Sequence, residues 1–159
     1  MQLAMSDPAD LNPTIVEALY CEALVLADDA RAAFDLSGRL TLAGRDEDLA
    51  RIALSCEALR TTTRMMHAIA WLLNQRAYLA GELSEFQLRH HGRLPPPQRD
   101  GAPEQIALLG PELEDLIGRT RRFYARIERL DAAWRDRFAM HPGAIHRLRE
   151  RLGHAVGHL

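Results

Sequence analysis

The sequence predicts an all-α protein: an elongated three-helix bundle with a long central helix 2, a flexible connector, a C-terminal tail and an expected dimeric state. Three observations carry this. Aromatic residues make up only 6% of the 159 residues while Ala, Leu and Arg crowd the chain, which disfavours a sheet. Apolar residues recur at alternating spacings of three and four, the period of packed helices. No stretch alternates with period two, and no glycine-rich phosphate loop or internal repeat is present. A chain this long encloses a real core as one domain, residues 1–138, followed by a flexible or weakly helical tail over 139–159.

Helix 1 is expected over about residues 13–36. Asn12 suits its cap and Pro13 its first turn. Ile15, Leu19, Ala23, Leu26, Ala30 and Phe34 form one face, and Gly38 is the expected stop. Helix 2 is expected over about 46–81, roughly 50 Å long, with Asp46 as cap. Its expected seam runs from Leu49 through Ile52, Cys56, Leu59, Thr63, Met66, Ala70, Leu73 and Ala77 to Ala80, and Gly81 is the stop. Residues 82–110 form a connector in which Gly92, Pro95, Pro96, Pro97, Gly101 and Pro103 forbid one continuous helix. Pro111 opens helix 3, expected over 111–138 with Leu113, Leu116, Thr120, Phe123, Ile127, Leu130 and Trp134 as its seam. Pro142 and Gly143 then uncouple the tail.

Between Met65 and Leu73 every residue except His67 is apolar, which covers helix 2 on all sides. A helix apolar all round calls for cover all round. A second subunit is the favoured cover, with Met65, Met66, Ile69, Trp71 and Leu72 as the dimer or partner surface; the alternative is the connector folding over it. Glu57, Arg60 and Arg64 share a face just before this run and are expected to form an interhelical polar network.

All 20 basic residues are arginine, yet acids number 22 and the net charge is −2. Codon bias explains the arginines more simply than nucleic-acid binding, so no nucleic-acid partner is expected. Residues 1–50 carry three arginines against ten acids, whereas residues 135–159 carry five against two. In the tail, Ile145, Leu148, Leu152 and Val156 keep helical spacing, and Arg147, Arg149 and Arg151 add positive charge. Ile145, Arg147, Leu148, Arg149 and Leu152 are therefore candidate cargo contacts in an arm that orders on binding. The acidic, proline-bearing N-terminus lacks the pattern of a signal peptide, no apolar run is long enough for a membrane span, and Cys21 and Cys56 suit small core positions in a reducing compartment. A cytoplasmic location is the expectation.

Catalytic and metal-binding constellations are not expected, nor is a cofactor. His154 and His158 have ligand spacing but sit in a glycine-broken tail without further donors, and His90-His91 sits in the connector. Ser55, Thr61, Thr62 and Thr63 have no triad partners in the pattern. His67 on a helical hairpin suggests a histidine phosphotransfer module, although Ala68 and Ile69 stand where such modules carry an acid.

Three strings carry a resemblance to a known family. They are Leu19-Tyr20-x-Glu22-Ala23 with Arg31; Ser55-Cys56-Glu57-x-x-Arg60-x-Thr62-x-Arg64, running on to Ala70-Trp71-Leu72-Leu73 and Ala77; and Leu113 with Tyr124-x-Arg126 and Arg129-Leu130-Asp131. Over about residues 14–134 the chain resembles the alphaproteobacterial RcdA-like family, regulators of CtrA degradation. The resemblance implies a dimeric three-helix bundle with a flexible C-terminus and no catalysis of its own. It also implies a cell-cycle role as an adaptor. After priming by a receiver-domain partner (CpdR), such a protein joins the ClpXP protease through ClpX and presents protein cargo such as CtrA, raising local substrate concentration by tethering. A dimeric scaffold that binds a response regulator without delivering cargo is the competing expectation.

Overall fold

The computed structural model of the chain describes residues 11–40 and 47–139. They form three long helices, α1 (Pro13–Leu40), α2 (Glu47–Leu79) and α5 (Pro111–Ala139), and two short ones, α3 (Glu85–His91) and α4 (Pro103–Ala107). No strand occurs among the described residues. The Asn12 side chain accepts from the Ile15 amide at 2.9 Å, satisfying one of the donors a helix start leaves open. The helix then runs through Gly38 to Leu40, past the expected stop. One glycine costs a helix only about 1 kcal/mol relative to alanine, too little to end it without a turn. At the end of α2 such a turn exists. Gly81 takes φ 78°, and the Glu82 amide folds back onto the Ala77 carbonyl at 2.8 Å.

The three long helices close around one core. Val16, Leu19, Ala23, Leu26 and Ala30 of α1 meet Leu54, Met65, Ala68 and Leu72 of α2 and Leu116, Phe123 and Ile127 of α5. On α1, Val16 rather than Ile15 takes the first inward position, and Ile15 is exposed. The buried line of α5 runs Leu113, Leu116, Thr120, Phe123, Ile127 and Trp134, broadened by Ile117, Tyr124 and Asp131.

Helix α2 departs from the expected seam. Its inner face is Ala53, Leu54, Glu57, Thr61, Arg64, Met65, Ala68, Trp71, Leu72 and Gln75, all buried. The expected seam lies on the opposite side: Ile52 is 57% exposed, Leu59 69%, Met66 63% and Leu73 43%. The reason is the polar content of the inner face. Arg64 faces inward because α5 offers Thr120 as a hydrogen-bond partner and the connector brings Asp100 near its charge, while Glu57 carries its partner, Arg60, on α2 itself.

The connector is not a plain loop. Ser84 and Gln87 cap α3 reciprocally, the Gln87 amide donating to Ser84 Oγ and the Ser84 amide to Gln87 Oε1. Leu88, Leu94 and Ile106 are its buried pegs, and it packs on α2 and α5. Trp71 Nε1 donates to Asp131 Oδ1 at 2.8 Å, and Arg135 Nε donates to Asp131 Oδ2 at 3.0 Å. Arg135 also reaches the Arg89 carbonyl at the end of α3. One carboxylate thus joins α2, α5 and α3. Replacing Trp71 with Phe is expected to lower stability by about 2–3 kcal/mol, through an unpaired Asp131 oxygen and a gap in the core. A urea titration followed by circular dichroism measures this.

Candidate functional site

The sharpest chemistry in the molecule lies where α2, α5 and the connector meet. Two helical turns of α2 place Glu57, Arg60, Thr61 and Arg64 toward this seam. Glu57 is 1% exposed; its Oε1 accepts from Arg60 Nη1 at 2.7 Å, while Oε2 has no hydrogen-bond partner among the described residues. Arg64 crosses to α5, its Nη1 donating to Thr120 Oγ1 at 2.8 Å, and that hydroxyl donates on to the Ile117 carbonyl at 2.8 Å. The expected network therefore divides. Arg64 bonds between helices, whereas Glu57 and Arg60 pair within α2.

Burial pushes the Arg64 guanidinium below its ordinary value, and nearby Arg121 adds to this; Asp100, Glu57 and Tyr124 oppose it. Asp100 belongs to the connector, where its Oδ1 lies 2.9 Å from Arg121 Nε in an ion pair without hydrogen-bond alignment. Gly101 follows, buried directly against the Glu57–Arg60 pair. A Cβ there would collide with Glu57 Oε1 and lie 2.9 Å from Arg60 Nη1. Any larger residue at 101 would have to push the Glu57–Arg60 pair aside. Tyr124 completes the clasp, its hydroxyl donating to the Pro95 carbonyl at 2.5 Å. Burial, reinforced by Glu128 and Asp131 against Arg64, pushes the Tyr124 phenol up to about 12. Such an arrangement is a lock: it fixes the connector and the register of α2 on α5.

The expected partner surface is split by the fold. Met65, Trp71 and Leu72 are buried in the chain's own core and are not a contact surface, because α2 turns that side toward α1 and α5. Met66 is exposed and Ile69 half-buried. Together with Ala27 and Phe34 of α1, these two line an apolar groove of about 310 Å³ between α1 and α2. The stripe of Leu49, Ile52, Leu59, Met66 and Leu73 continues along α2 for roughly 36 Å. Strict three-four spacing marked these residues in the sequence; only their direction was hidden.

Other candidates fall into place. His67 is half-buried on α2. Cys56 is half-buried, but Cys21 is exposed on α1 rather than packed in the core, because Val16, Leu19 and Ala23 define the inward line there. No group of three or more His, Cys, Asp or Glu able to hold a metal ion occurs among the described residues. No helix among them is long and apolar enough to cross a membrane. Ile145, Arg147, Leu148, Arg149 and Leu152, like the rest of 140–159, and the Asp46 cap lie outside the described residues.

The sequence over residues 8–156 matches the model of a protein family described as "Protein of unknown function (DUF1465)". The chain belongs to this family. No curated protein and no solved structure matches it. The match spans all three long helices and the connector, so the lock and the apolar stripe both lie inside the shared region.

Two substitutions probe the lock. Arg60→Ala strands the buried Glu57 carboxylate and is expected to cost about 3 kcal/mol, the low end for a broken buried pair because Arg60 keeps a solvated edge; chemical denaturation reads the loss. Tyr124 gives a pH signature. A phenol whose folded pKa is about 12, against an ordinary 10.0, favours the protonated fold. Its contribution is complete below pH 10 and lost as pH rises toward 12. Tyr124→Phe is expected to lose about 1 kcal/mol at neutral pH and to flatten the fall in stability between pH 10 and 12, as melting curves across that range reveal.

Proposed function

We propose that the protein is a non-enzymatic, homodimeric adaptor of the RcdA-like kind, acting in the cytoplasm in regulated proteolysis. It tethers protein cargo to a ClpXP protease after a receiver-domain primer has docked. The observation that supports a protein-binding role is the outer face of α2. Leu49, Ile52, Leu59, Met66 and Leu73 are exposed at heptad spacing on a 33-residue helix whose other side is already packed. A stripe of this period pairs well with a copy of itself across a two-fold axis, giving knobs-into-holes packing along several turns. Dimerisation through α2 would leave the α1–α5 side free for other proteins. The proteolytic role rests on the likeness of the Ser55–Arg64 string and its companions to the RcdA-like pattern.

Sedimentation velocity tests the dimer. The wild-type chain is expected to sediment as a dimer at micromolar concentration and the Leu59→Glu/Met66→Glu variant as a folded monomer. A monomeric wild type overturns the α2 pairing. The adaptor role is tested by a pull-down with ClpX and a receiver-domain primer, followed by a degradation assay on captured cargo. Truncation after Phe138 is expected to preserve folding and dimerisation while abolishing cargo degradation. Binding of the primer by the full chain without any stimulated degradation favours a scaffold instead.

A further inference from the structure

On the side of the bundle away from the connector, α5 turns a row of arginines toward α1. Arg119, Arg122, Arg126 and Arg129 are spaced by three, four and three residues and therefore share one helix face. With Cys21, Glu22, Val25 and Leu26 of α1 they line an open groove of about 650 Å³ whose floor is buried Leu26 and Phe123. Val25 stands 61% exposed on its wall. Two of the arginines are neutralised from α1. Arg126 pairs with Glu22, and Arg119 Nη2 lies 3.4 Å from Asp29 Oδ2. Arg122 and Arg129 are exposed and have no ion-pair partner among the described residues.

The charge balance makes this groove unusual for its host. Its lining holds four arginines against one carboxylate, on a chain whose net charge is −2. Each unpaired guanidinium presents a planar fork suited to a carboxylate. Seven residues of helix separate the two, roughly 10 Å along the axis, a spacing that two carboxylates on one face of a partner helix reproduce. Between them Arg126 lies over the Phe123 ring, 5.1 Å from its centroid, and Val25 faces it from α1. The centre of the site is therefore a neutralised ion pair stacked on an aromatic floor beside an exposed valine, and its ends are cationic. Glu22 and Asp29 in and beside the wall oppose a continuous polyanion, so spaced carboxylates fit better than a phosphate backbone.

We propose that the α1–α5 groove is a docking site for an acidic amphipathic helix of a partner protein. Carboxylates seven residues apart engage Arg122 and Arg129, and an aliphatic residue between them packs against Val25 and the Arg126–Phe123 stack. This is helix-in-groove recognition with the charge supplied by the ends. The site lies on α1 and α5, away from the α2 stripe, and does not rest on the proteolytic reading; peptide binding is measured with no protease present.

Fluorescence anisotropy with the full chain and a labelled helical peptide of about 15 residues tests it. The peptide carries two glutamates seven residues apart flanking leucines. Controls replace those glutamates with arginine, or the peptide with a single-stranded oligonucleotide. The acidic peptide is expected to bind, to weaken with added salt, and to lose at least about tenfold in affinity to the Arg122→Glu/Arg129→Glu variant. Both positions are exposed, so the variant keeps its fold, which circular dichroism verifies. Arg122→Lys/Arg129→Lys is expected to lose less, since it keeps the charge without the fork. No binding of the acidic peptide, equal binding by the double charge reversal, or preferential binding of the oligonucleotide overturns the proposal.

Discussion

Arg64 is a guanidinium placed inside a helical bundle, and its burial constrains the pieces around it. Its charge is disfavoured there both by lost solvation and by Arg121 on α5. Two carboxylates oppose that cost, Asp100 on the connector and Glu57 two turns earlier on α2. Asp100 reaches the site only if the chain after it passes close to α2, which the missing side chain at Gly101 permits. From this follows the path of the connector, its tie to Tyr124 through Pro95, and the placement of α4 between α2 and α5. The polar core thus does what apolar packing does poorly: it selects one register, since a shift of a single residue along α2 would leave Arg64 without Thr120.

That choice explains what the sequence made legible. The inward lines of α1 and α5 were readable because each of these helices has one apolar face and one charged face. Helix α2 has two candidate faces, and the more apolar of them points outward. Spacing alone favoured Ile52, Leu59, Met66 and Leu73, since nothing in periodicity tells that Arg64 will find its partner in Thr120, fifty-six positions away. The same blindness placed Trp71 at a partner surface, although its indole N–H is satisfied by Asp131 sixty residues later. The start of α3, by contrast, was written in Ser84-x-x-Gln87, a capping signature overshadowed by the prolines that follow.

Within the fold the two sides of the molecule have different characters. The α2 side offers a ridge of exposed apolar side chains, while the α1–α5 side offers arginines, two of them paired from α1, over a buried apolar floor. Ion pairs such as Arg76–Glu17 and Arg119–Asp29 bridge helices at the surface, where solvent screens them to roughly 0–1 kcal/mol each. They orient side chains more than they hold the bundle. Cohesion comes from the buried apolar cluster and from the hydrogen bonds of Trp71, Arg64 and Tyr124.

Residues 93–101 cross the bundle without a backbone–backbone hydrogen bond among the described residues. Their attachment consists of side-chain anchors: the Leu94 peg, the bond from Tyr124 to Pro95, the Asp100–Arg121 pair and the seating of Gly101. A segment secured at separate points rather than by a ladder opens as a small cooperative unit. Its amides exchange with solvent through excursions far less costly than global unfolding. The three long helices stay assembled during such an opening, but Arg64 and Glu57 become wet. The bundle therefore carries a strap, fastened by side chains alone, over its own charged interior.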